Sequence, residues 1–85
     1  MSNRNRKISR LQKAEFVGND LHIRLRRLYD NKILNTYYQE IDGKETVSVL
    51  FKSGDKVVVD VTGLIKTQIA EKVFNVLRKR TAERN

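Results

Sequence analysis

Two residues, Asp42 and Gly43, constrain this chain more than any others. Asp-Gly is a preferred centre for a two-residue hairpin, because the turn that matches strand twist needs a positive φ at both central positions. The residues on either side alternate in polarity, as half-buried strands do. A two-residue loop pairs Ile41 with Lys44, Tyr38 with Val47, Thr36 with Val49 and Leu34 with Phe51. Leu34, Tyr38, Val47, Val49 and Phe51 then share one face, and Asn35, Tyr37, Gln39, Thr46 and Ser48 share the other. A slip of one residue would exchange the faces, so the hydrophobic pattern itself specifies the register.

The pattern extends in both directions. A three-residue loop, Ser53-Gly54-Asp55, brings Val57, Val59 and Val61 opposite Phe51, Val49 and Val47, whereas a two-residue loop would put Lys56 and Asp60 on the apolar face. On the other side, Asp30-Asn31 can close a hairpin between residues 21–28 and 33–41. That pairing sets Ile23 opposite Tyr38 and Leu25 opposite Thr36, with Arg27 opposite Leu34 as the misfit. Gly18-Asn19 can turn 14–17 back as a further strand, and a helix over about 7–16 competes for those residues. The last segment is helical: Ile65, Ile69, Val73, Val76 and Leu77 form one stripe, flanked by Ala70 and Phe74. Thr62 is the expected N-cap, with Gly63 following it.

These elements predict an α+β fold, an antiparallel β-meander of four or five strands with a C-terminal α-helix packed on one face. Eighty-five residues hold one core, and proline, the usual mark of a linker, is absent. The expected organisation is a flexible basic arm over 1–12, a single domain over 13–80 and a frayed tail over 81–85.

The charge is unevenly distributed. Residues 1–32 carry nine Lys/Arg against three Asp/Glu, residues 33–65 three against five, and residues 66–85 six against two. Segregated positive charge raises the local potential and attracts phosphates, which makes DNA or RNA the expected partner. The expected nucleic-acid-binding residues are Arg4, Arg6, Lys7, Arg10 and Lys13 in the arm, Arg24, Arg26 and Tyr37 on the open sheet face, and Arg78, Lys79 and Arg80 at the end of the helix. Guanidinium groups grip phosphates, and a tyrosine ring can stack on a base. A blander role also exists for the last three, since cations in a final helical turn stabilise the helix dipole.

The same open face carries Leu28, Ile33, Ile41, Leu50 and Val58 among its polar residues. That mixture points to a homodimer, or to a protein partner docked by an inhibitor or adaptor. A third reading, a small metal-independent ribonuclease, would use Arg24, Arg26, Tyr37 and His22. Nothing in the sequence marks a nucleophile beside His22, a Gly-rich phosphate loop or a paired-His metal motif, so neither enzyme activity nor a cofactor is expected. Cysteine is absent, which removes disulfides and thiolate metal sites. No apolar run reaches the roughly 20 residues of a membrane span, and a cytoplasmic location is expected.

Overall fold

The computed structural model describes residues 10–84. Its elements run helix, three strands, helix. Helix α1 is α-helical over 10–15, widens to a π-helix at Phe16–Leu21 and returns to α over His22–Leu28. Strands β1 (Ile33–Ile41), β2 (Lys44–Phe51) and β3 (Lys56–Asp60) form an antiparallel sheet in that order. Helix α2 spans Lys66–Arg84.

The sheet therefore has three strands among the described residues, not four or five. Residues 21–28, expected to be a strand, are the last turns of α1. Residues 10–12, placed in the arm by the sequence, belong to the same helix. Arg4, Arg6 and Lys7 lie outside the described residues. The physical reason for the misreading is local. Leu21, Ile23 and Leu25 alternate with polar residues and so imitate a strand, while Asp30-Asn31 imitates a hairpin turn. Asp30 and Asn31 do adopt positive φ, 51° and 60°, but they end a helix. The Asn31 N–H donates to the Arg26 carbonyl (2.8 Å), satisfying a helix-end acceptor in the manner of a left-handed cap. Hairpin turns and helix caps use the same backbone region, and Asp and Asn tolerate it in either setting.

The true signal in α1 is a four-residue spacing. Lys13, Val17, Leu21 and Leu25 fall at i, i+4, i+8 and i+12, and the last three are fully buried. Four residues overshoot one α-helical turn by about 40°. The wider π turn between Phe16 and Leu21 takes that drift back, so the stripe stays aimed at the sheet. Ile23, expected in the core, is left half exposed.

The Asp42-Gly43 hairpin forms as read, with φ of 52° and 83° at the two turn residues. Ile41 pairs with Lys44, Tyr38 with Val47 and Thr36 with Val49. The pairing of Leu34 with Phe51 does not occur. A β-bulge inserts Leu34 between Ile33, which pairs with Phe51, and Asn35, which pairs with Leu50. Ile33 is thereby buried and Leu34 exposed, the reverse of the expectation. The second turn also shifts. Its three loop residues are Lys52, Ser53 and Gly54, closed by the Phe51 N–H donating to the Asp55 carbonyl (2.8 Å). Val57 and Val59 consequently face Val49 and Val47, two positions along from the expected partners but on the same face.

That face is covered by both helices. Val17, Leu21 and Leu25 of α1 join Ile69, Ala70, Val73 and Leu77 of α2 over the inward valines of β2 and β3, in one cluster. Ile65, expected in the stripe of α2, is exposed. Thr62 does not cap α2. Its hydroxyl accepts the Glu45 N–H (2.9 Å), and the helix start is closed by the Gln68 carboxamide oxygen accepting the Ile65 N–H (3.1 Å).

Candidate functional site

The helices and strands divide the molecule into two poles. Helix α1 starts, and helix α2 starts, at the pole that carries the β1–β2 hairpin. There Glu40 and Glu45 are held by other groups of the chain. Glu45 accepts from the Lys13 ammonium (2.8 Å), the Tyr38 hydroxyl (2.5 Å) and the Gly63 N–H (2.8 Å). Burial pushes the Glu45 carboxyl up, but the Gly63 amide, Lys13 and Tyr38 together hold it below the usual carboxylate range. Burial and the same hydrogen bond push the Tyr38 phenol well above its ordinary value. Glu40 accepts from the Gly43 N–H (2.7 Å) and pairs with Arg10, which lowers its pKa.

Both helices end at the opposite pole, where β1 begins and β2 ends. The turn after α1 and the β2–β3 turn are tied there by the Lys52 N–H donating to the Lys32 carbonyl (2.8 Å). Between these turns and α2 lies a cleft of about 610 Å³. Tyr29, Phe51 and Leu77 form its apolar wall, with the Tyr29 and Phe51 rings perpendicular at 6.1 Å. Lys32, Lys52 and Arg80 supply positive charge at its rim, and Asp30 and Asp55 negative charge. Arg80 reaches Asp55 at 3.5 Å, a loose pair with both side chains more than a third exposed. Lys32 and Lys52 are exposed and have no ion partner among the described residues. Arg26 and Arg27 fill the last turn of α1 beside the cleft, and Arg78 and Lys79 are exposed on the turn of α2 that carries Arg80.

The structure separates residues that the sequence reading had grouped. Arg24 and Arg26 are exposed on α1. Tyr37 lies on the outer face of the sheet, its ring beneath the Lys56 ammonium at 5.9 Å. Hydrogen bonding to Ser48 and Lys56 lowers the Tyr37 pKa. The arginine–tyrosine platform expected on an open sheet is therefore absent, because its arginine strand is a helix on the other side. Arg10 and Lys13 are engaged by Glu40 and Glu45. His22 faces inward, where its Nδ1 shares a hydrogen bond with the Thr36 hydroxyl (2.9 Å). His22 and Tyr37 thus stand on opposite sides of the sheet, which breaks up the constellation a ribonuclease reading would need.

Tyr29, Lys32, Phe51 and Lys52 were missed by sequence reasoning. They are distant in the chain and meet only when the two turns close. The signal that could have found them is modest, a lysine at the edge of each turn with an aromatic residue nearby.

No family model matches this chain, and no curated protein or solved structure is significantly similar to it. Among the described residues no helix is long and apolar enough to cross a membrane, and no group of three His, Cys, Asp or Glu side chains could hold a metal ion.

Proposed function

We propose that the chain is a small nucleic-acid-binding protein that holds its ligand mainly by phosphate contacts, in a regulatory or architectural role. The observation that carries this reading is the gathering of Arg26, Arg27, Lys32, Lys52, Arg78, Lys79 and Arg80 at one pole, opposed there by Asp30 and Asp55. The two helix C-termini at this pole attract some of that charge on their own account. Lys32 and Lys52 lie in turns beyond those helices' last residues, and helix-dipole compensation does not explain them. Exposed cations without partners are groups that can neutralise phosphates and release counterions.

Titration against fluorescent duplex DNA, single-stranded DNA and RNA at several salt concentrations tests the reading. Submicromolar binding that weakens steeply with salt supports it. Negligible binding of all three at about 150 mM salt overturns it.

A second reading, a homodimer or a protein-docking module, rests on a different observation. Leu34, Ile41 and Val58 are 58%, 64% and 56% exposed on the side of the sheet that no helix covers. Sedimentation equilibrium over a range of concentrations distinguishes a dimer from a monomer.

A further inference from the structure

We propose that the cleft between Tyr29 and the β2–β3 turn receives one unpaired nucleotide of a single strand, its base against the Tyr29–Phe51 wall and its phosphate at Lys32 and Lys52. This rests on the nucleic-acid reading above and goes beyond it by naming the form of ligand. The wall comes first in the argument. The two rings stand perpendicular at 6.1 Å, and each packs partly on the core while also lining the cleft. Aromatic surface in a cleft is what an unstacked base uses, and the volume lies within the range of small-ligand pockets.

The rim supplies the second part. The hydrogen bond from the Lys52 N–H to the Lys32 carbonyl fixes two lysine backbones side by side. Both residues line the cleft, and two cations at one rim attract a phosphate. A carboxylate at the rim argues for a nucleotide over a bare polyphosphate. Asp30 opposes an added anion, yet a carboxylate accepts hydrogen bonds from the amino group of cytosine, adenine or guanine. A paired base stays stacked between its neighbours and presents no free face, so a duplex interior does not fit.

The test uses the full chain with a short single-stranded oligonucleotide carrying 2-aminopurine, the blunt duplex of the same sequence, and inorganic polyphosphate as the control for charge alone. Expected are quenching of 2-aminopurine in the single strand and an affinity for it that Tyr29→Leu lowers about tenfold, with duplex affinity unchanged. Lys52→Gln, on an exposed turn, reads the same site if the Tyr29 variant does not fold, and should weaken the single strand more than the duplex. Equal affinity of wild type and both variants for the single strand, or polyphosphate competing as well as the oligonucleotide, overturns the inference while the polyanion reading stands. Absence of binding to any nucleic acid removes both.

Discussion

Glu45 joins four parts of the chain at once: α1 through Lys13, β1 through Tyr38, its own strand, and the loop before α2 through Gly63. Its side chain and that of Lys13 are each only 12% exposed. Glu45→Gln keeps the shape but leaves Lys13 with no compensating charge, and should lower stability by about 2 kcal/mol in chemical denaturation. Gly18 gives a prediction of opposite sign. It sits in the π segment without a positive φ, and a Cβ there would meet no atom within 4 Å. Gly18→Ala should stabilise by roughly 0.5–1 kcal/mol through the lost backbone freedom of the unfolded chain, seen as a raised Tm. His22 sets a pH response. Burial, and then the charge of Arg26, hold its pKa below the ordinary 6.5. The folded state thus binds the proton less readily than the unfolded chain, so stability is full above about pH 6.5 and falls as pH drops through the lowered value. Glu40, Glu45 and Asp60, whose pKa values are also lowered, act in the same direction in a lower window, beginning near 4.5. His22→Gln should flatten the stability profile just below about pH 6.5 and leave the more acidic limb in place.

The bulge in β1 makes a prediction about whole elements. Leu34 is the extra residue between two consecutive pairs of the ladder. Its deletion leaves Ile33 opposite Phe51 and Asn35 opposite Leu50, with every inward residue still inward. Deletion of Tyr37 instead turns part of β1 over, exposing either Tyr38 or Thr36 and Ile33. Circular dichroism and thermal melting should show a folded protein for the first deletion and an unfolded one for the second. The same comparison explains what could be read from the sequence. The Asp42-Gly43 hairpin was legible because turn chemistry and alternation agreed. The bulge was not, because an inserted residue leaves no mark in a pattern already rich in apolar side chains at both 33 and 34. Helix α1 was misread because three alternating apolar residues outweighed a four-residue spacing that only a π turn keeps in line. Arg27, which fitted no strand face, was the residue that disagreed. The cleft was illegible for another reason: its aromatic residues come from the end of a helix and the end of a strand.

At the scale of the molecule, the arrangement leaves one sheet face under two helices and one face bare. Strand β2 is paired on both sides and lies over the core, so its amides should exchange with solvent most slowly, and those of β1 and β3 that point away from it much faster. Uniform protection across the three strands in a monomer would contradict this; protection of an outer strand that appears only at high concentration would locate a dimer edge there. The gathering of cations at one pole was half legible, since the sequence shows basic ends and a slightly acidic middle but not that α1 and α2 finish at the same pole.

Both helices finishing at that pole also has a consequence for motion. With cations gathered at one end and Glu40 and Glu45 matched by Arg10 and Lys13 at the other, the charge of the described residues is lopsided. A polyanion's field turns such a body before it touches, so encounters arrive with the cationic end leading. Raising ionic strength then acts on the time of approach as well as on the strength of the hold.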